Sequence, residues 1–426
     1  MGVFDAFAPR VATKLFSALL LAGFAVLVAA RLPLVWLRGR FWGEEGAVYF
    51  HNAWNLPWPD ALFAVHTGYL NLSASIATLL AVHLVPLAAA PWVSTGFAWL
   101  IQLCPAALLL TGQVPWLRER WTQALALLLL LPVASSEVWL NSITSQFHLG
   151  LCACLILALP TCNGPTGAFR FGLLALGPLS GPASVFTTPL FVLRALMDRS
   201  RVRALQAGVL AVGSVAQMAM VFLHPEPARA LGIGPRLLGL VVYVKHVLLP
   251  LLGADATAAF TGDIIARVQG GEMPWGGFAI AVAASVAMAL AAWSTRRPEI
   301  RWMLAGGAWV MVLSYVGALG PHLNLLGASY GDRYDYIPAV LFGLVLLGCA
   351  LCAPVWVRPA CAMLVLWIVV VALREYVVTD TLMGRGPAWS GEVARWRADP
   401  AYRVQFWPEY PFWRFNLGAP ATAHGG

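Results

Sequence analysis

Apolar residues recur along this chain in uncharged runs: 12–34, 69–89, 92–112, 121–137, 147–161, 170–194, 204–223, 275–295, 302–320, 336–355 and 359–376. A helix rising about 1.5 Å per residue needs roughly 20 apolar residues to cross hydrocarbon, so the runs predict an all-α polytopic membrane protein with about eleven transmembrane helices. The first run reads as an anchor, because no small-residue cleavage site follows it and Arg38 and Arg40 flank its far end. Gly177-Pro-Leu-Ser-Gly-Pro182 breaks the run 170–194 into two half-helices, whose freed backbone groups must line protein or a cavity. The stretch 237–252 is short for a span and carries Lys245 near its middle, which predicts an interfacial or re-entrant helix.

Loop charge sets the expected orientation. The densest basic clusters, Arg194 to Arg203 and Arg296 to Arg301, are separated by an even number of spans, so both face the cytoplasm together with the amino terminus. The outer side then receives 38–68, 113–120, 224–274, 321–335 and the tail from about 377 to 426. By the same count 134–148 falls inside, although its polarity suits a re-entrant segment. The chain divides into a membrane module (1–223), an outer loop with an interfacial helix (224–274), further spans (275–376) and an outer aromatic tail (377–426).

Composition narrows the class. Residues are 60% hydrophobic and 11% charged, against about 45–50% and about 25% in soluble domains, which leaves too little polar surface for a water-facing fold. The net charge of +8 therefore points to lipid rather than to nucleic acid. The cysteines at 104, 152, 154, 349, 352 and 361 fall in or beside apolar runs without polar ligand company, and read as small core hydrophobes.

Candidate chemistry gathers in three outer segments. In the first, Glu44 and Glu45 sit a few residues past a span end beside Trp42, where a carboxylate is costly unless paired or used. Such a carboxylate can act as general base toward an acceptor hydroxyl, or cap the helix that follows. In the second, Lys245 and His246 point at the headgroup layer, as phosphate ligands or as ordinary snorkelling side chains. In the third, Gly327 to Tyr336, Arg333 stands between Asp332 and Asp335 and between Tyr330 and Tyr334, either as a closed ion pair or as a clamp for phosphate or sugar. His66, His83, His148 and His322 show no metal-ligand spacing. Glycine-rich phosphate loops and Gly-x-Ser-x-Gly elbows are missing, which removes support for nucleotide-driven pumping and serine hydrolysis. The tail stretch Phe406 to Phe415 is aromatic and is expected to pack over the outer loops.

With these residues placed, the chain resembles the GT-C superfamily of polytopic membrane glycosyltransferases that use polyprenyl-phosphate sugars. Phe41-Trp-Gly-Glu-Glu-Gly46 is similar to the acidic motif of the first outer loop in that superfamily. Gly68-Tyr-Leu-Asn-Leu72 with Pro132 to Gln146, Ser180-Gly-Pro182 with Pro189-Leu-Phe191, and Trp407 to Leu417 are similar to further segments of it. The resemblance covers most of the length and implies a seven-helix module followed by an outer loop with an interfacial helix. It also implies an inverting glycosyltransferase that moves one sugar from a polyprenyl-phosphate donor to a periplasmic glycan, lipid or protein acceptor at the bacterial inner membrane. Glu44 or Glu45 is then the base. Lys245, His246 and Arg333 bind the donor phosphate, and Tyr330, Tyr334, Asp332 and His66 contact substrate. Many relatives carry an aspartate in the acidic motif, so an Asp-Glu alignment makes Glu44 the base and a Glu-Asp alignment makes it Glu45. Metal dependence stays open, since two glutamates can hold a divalent ion or work without one. The rival class is a lipid or small-molecule transporter without chemistry; only one broken helix and no internal repeat support it.

Overall fold

A computed structural model of the chain describes residues 4–133, 136–225, 232–377, 386–410 and 412–418. The parts of the expected segments at 134–135, 226–231, 378–385, 411 and 419–426 lie outside the described residues. Among the described residues the fold is predominantly helical, with two short antiparallel strand pairs, Val65–His66 with Tyr69–Leu70 and Arg403–Gln405 with Arg414–Asn416. Among the described residues, five helices are long and apolar enough to cross a membrane: Leu87–Thr111, Arg201–Leu223, Pro235–Leu252, Trp275–Ser294 and Asp332–Cys352. The pair Gly164–Leu179 and Pro182–Asp198 makes a sixth if its two arms, bent by 115°, are counted as one. The chain is therefore a helical membrane protein, built on fewer such helices than the eleven apolar runs suggest.

Three runs depart from the expected layout, and contacts explain how. The run 69–89 folds as the 13-residue helix Leu72–Leu84 and the short turn Leu87–Ala89. It stays at the end of the bundle that carries Glu44: Asn71 reaches the Ile143 carbonyl (2.9 Å), and the Leu87 carbonyl accepts from Trp389 of the tail (2.7 Å). Its small residues Ser73, Ala74, Ser75, Ala77, Thr78 and Ala81 are buried against the rest of the protein. The run 121–137 is helical only over Arg120–Leu128 before it turns irregular. The run 170–194 is a hairpin. Arg170 donates to the Pro160 carbonyl and Arg194 to the carbonyls of Leu157 and Ala158, so both arms start from the arginine-rich end. At the apex, Ser180 Oγ accepts from the Ser73 amide (3.2 Å).

The first and third departures cancel. Because 69–89 does not cross the bundle, the loop 113–120 lies at the arginine-rich end, where Gly112 packs on Leu159. The segment 136–148 lies beside Glu44, the reverse of the expected placement of both. The hairpin then restores the register, so Arg201–Leu223 runs from the arginine-rich end to the Glu44 end as expected. Arg203 holds the Ile156 and Leu159 carbonyls at one end (2.9 and 2.6 Å), and Gln217 grips the amide and carbonyl of Leu70 near the other (3.2 and 2.9 Å).

Pro235–Leu252 lies across the bundle. On its amino-terminal side the Gly232 amide meets the Val316 carbonyl (3.3 Å), and on its carboxy-terminal side the Ala254 amide meets Glu375 (2.9 Å). Both sides thus rest on the carboxy-terminal ends of helices Pro298–Val316 and Arg358–Arg374, although by length and apolarity this helix also qualifies as a membrane span. The tail closes over the acidic loop as expected. Trp407 brackets it through the Gly43 amide (2.6 Å) and the Phe41 carbonyl (3.1 Å), and a Cβ on Gly46 would sit 2.4 Å from the Phe406 ring. Phe41, Phe50, Trp389, Trp396 and Phe406 form a buried aromatic cluster there.

Candidate functional site

The short helix Pro33–Arg38 ends at Gly39, whose φ of +68° turns the chain into the acidic loop. Arg40 is buried (1% exposed) and donates to the carbonyls of Trp139 and Leu140 (3.1 and 3.0 Å). Burial lowers its pKa to about 10, against the opposing pull of Glu45, so the guanidinium stays charged at neutral pH. Glu45 is equally buried and accepts four hydrogen bonds. Oε1 takes those of Ser94 Oγ, Ser142 Oγ and the Ser142 amide (2.6, 2.6 and 2.8 Å), and Oε2 that of the Trp42 amide (3.0 Å). Both oxygens are in structural use. Glu45→Ala is expected to lower stability by about 3 kcal/mol, since it strands several buried donors at once; thermal unfolding in detergent measures this, and an unchanged midpoint would refute it.

Glu44 precedes the π-helical turn Glu45–Phe50, and its half-buried side chain lines an open cleft. Across this space stand Arg333 and Tyr334 at the start of helix Asp332–Cys352. Between them lie Tyr49, His66, Tyr69, Asn71, Thr144 and Gln146. The hairpin that presents His66 and Tyr69 turns at Thr67 and Gly68, with φ of +49° and +81°. Gln146 donates to the Tyr69 hydroxyl (3.3 Å), and the Leu319 amide donates to that of Tyr334 (3.1 Å). Burial, and behind it the neighbouring Tyr69 and Glu44, raises the Tyr49 phenol well above its ordinary pKa, so it remains a neutral hydroxyl.

The irregular segment 136–148 supports both sides of the cleft. Several of its backbone groups are satisfied by side chains: from elsewhere Gln102 bridges Val138 and Leu140 (3.3 and 3.2 Å) and Arg40 and Asn71 take further carbonyls, while within the segment His148 Nε2, on helix Ser145–Ala158, meets the Val138 carbonyl (3.0 Å). Non-helical backbone at membrane depth is tolerated only when enclosed in this way. Glu137, from the same segment, forms an ion pair with Arg333.

The expected site residues divide. Glu44, His66, Arg333 and Tyr334 meet at one cleft. Lys245 does not join them. It is 1% exposed, donates to the Ala328 and Tyr330 carbonyls (3.0 and 2.9 Å), and lies 3.8 and 3.9 Å from Asp332 and Asp335. Asp332 and Asp335, three residues apart, share one helix face, whereas Arg333 is rotated by about 100° onto another and finds Glu137 instead. His246 shares its Nε2 with the Tyr315 hydroxyl (2.8 Å) and, with Lys245 and Asp335, borders a separate, largely apolar pocket. The side chain of Tyr330 is half-exposed and away from the cleft lining, its carbonyl serving Lys245. Among the described residues, no three His, Cys, Asp or Glu side chains group as a metal site.

Sequence reasoning missed Glu137, Tyr49, Tyr69, Asn71, Thr144 and Gln146 as lining or supporting residues. A signal for several of them was present: Gly68 to Leu72 and Pro132 to Gln146 stood out together, and they pack against each other here. No family model, no curated protein and no solved structure matches this chain.

Proposed function

We propose that the protein is an inverting membrane glycosyltransferase of the GT-C kind. It moves one sugar from a polyprenyl-phosphate donor to an acceptor hydroxyl of a glycan, lipid or protein on the periplasmic face of a bacterial inner membrane. The observation that carries this reading is the division of labour in the Glu-Glu pair. Glu45 is consumed by four hydrogen bonds, whereas Glu44 faces a polar cleft with Arg333 across it. The acceptor oxygen forms a bond to the anomeric carbon as its proton passes to Glu44. The bond from that carbon to the phosphate oxygen breaks on the opposite face, and the electron pair leaves with polyprenyl phosphate, whose growing charge Arg333 stabilises. This reading assigns the donor's hydrocarbon chain to the neighbouring apolar pocket, whose border includes Asp335, two residues along the helix from Arg333 and one from Tyr334. The arginine-rich end, with Arg194 to Arg203 and Arg296 to Arg301, then faces the cytoplasm.

The test uses purified protein in proteoliposomes loaded with polyprenyl-phosphate-linked hexoses and pentoses, with water or a simple glycoside as acceptor. Release of free polyprenyl phosphate is expected. Donor that crosses the bilayer intact, with no release, would contradict enzymatic transfer and favour a transporter.

A further inference from the structure

The ion pair between Glu137 and Arg333 joins two elements 196 residues apart in sequence, and its acidic member does not line the cleft. Glu137 acts on the site through Arg333. We infer that Glu137 is a positioning residue that fixes the Arg333 guanidinium as the receptor for the donor's phosphate group. The inference rests on the reading of the cleft given above.

Three observations converge on it. Arg333 leaves the helix at its first turn, on a face where neither neighbouring aspartate is its partner, because both aspartates serve Lys245. A long side chain there has many rotamers, and a carboxylate bound to one nitrogen selects among them. Glu137 is itself held in place. Its own carbonyl accepts from Asn141 Nδ2 (2.8 Å), and Asn141 Oδ1 accepts from the amide and hydroxyl of Thr144 (3.0 and 2.6 Å), a cleft-lining residue. The second guanidinium nitrogen remains beside the Tyr334 hydroxyl (3.5 Å) at the cleft wall, where an anion can meet it. The segment 136–148 thereby grips Glu45 through Ser142 at one point and Arg333 through Glu137 at another. It acts as a strut that sets the separation of base and phosphate receptor.

The probe is a short-chain polyprenyl phosphate, whose binding to purified protein is followed by calorimetry without any need for turnover. Arg333→Gln is expected to weaken binding most and Glu137→Gln to weaken it about tenfold, as loss of orientation at an otherwise intact receptor does. Glu137→Asp is expected to recover part of the loss. The double variant should bind no worse than Arg333→Gln alone, because the two residues act as one unit. Wild-type affinity in Glu137→Gln, or losses that add in the double variant, would overturn the inference. So would a loss that tracks a fall in thermal stability and is not rescued by aspartate. Failure of the glycosyltransferase reading shows separately, as tight probe binding with no sugar transfer by the wild type.

Discussion

Lys245→Met is expected to destabilise the protein by about 3–5 kcal/mol, the usual consequence of removing one member from a buried charge cluster. The buried ammonium group is enclosed between the Ala328 and Tyr330 carbonyls and the buried carboxylates of Asp332 and Asp335. Without it two carboxylates face each other in an apolar setting. Adding Asp332→Asn and Asp335→Asn to Lys245→Met should therefore return much of the lost stability, since replacing a whole buried cluster with neutral groups is often close to neutral. Thermal unfolding in detergent reads both effects. A Lys245→Met protein with unchanged stability and lost donor binding would instead restore lysine to the ligand role that its place in the sequence suggests.

Glu44→Gln is expected to lower sugar transfer by about 10²- to 10⁴-fold, the range associated with loss of a general base. Stability should stay within about 0.5 kcal/mol of wild type, since the substitution conserves shape at a half-buried position on an open cleft. Donor binding should persist, because Arg333 and the apolar pocket are untouched. The contrast with Glu45 is the informative part. Glu45→Gln should retain transfer in proportion to whatever protein remains folded, as its carboxylate meets only protein donors. Equal catalytic loss from both substitutions, with both proteins folded, would contradict the assignment of roles.

The hydrophobic pattern made the class of the protein legible, along with several of its landmarks. The break at Ser180-Gly-Pro182 and the packing of the aromatic tail over the acidic loop are both found in the structure. It misread 69–89 because apolarity reports exclusion from water and does not distinguish lipid from protein as the cover. Leu72–Leu84 owes its apolar face to the aromatic cluster and to helix Ala90–Thr111. That one helix reversed the expected sides of 113–120 and 136–148. At the site, the Glu-Glu pair was visible but its division was not, since the donors that engage Glu45 come from Ser94 and Ser142, 49 and 97 residues away. Lys245 was read as a phosphate ligand because its burial depends on Asp332 and Asp335, which are distant in sequence. Glu137 carried no local mark at all. Its meaning comes from Arg333 alone, across the fold.

The account requires the carboxylate of Glu44 and the guanidinium of Arg333 to open to the same side of the membrane, away from the arginine-rich end. In sealed membrane vesicles, Glu44→Cys, Arg333→Cys and Arg201→Cys variants are treated with a membrane-impermeant maleimide from one side at a time, against the wild-type background. The prediction is that the thiols at 44 and 333 react from one face, with protection by polyprenyl-phosphate sugar, while the thiol at 201 reacts only from the other. Labelling of 44 and 333 from opposite faces, or of 201 from the same face as 44, would contradict the shared cleft.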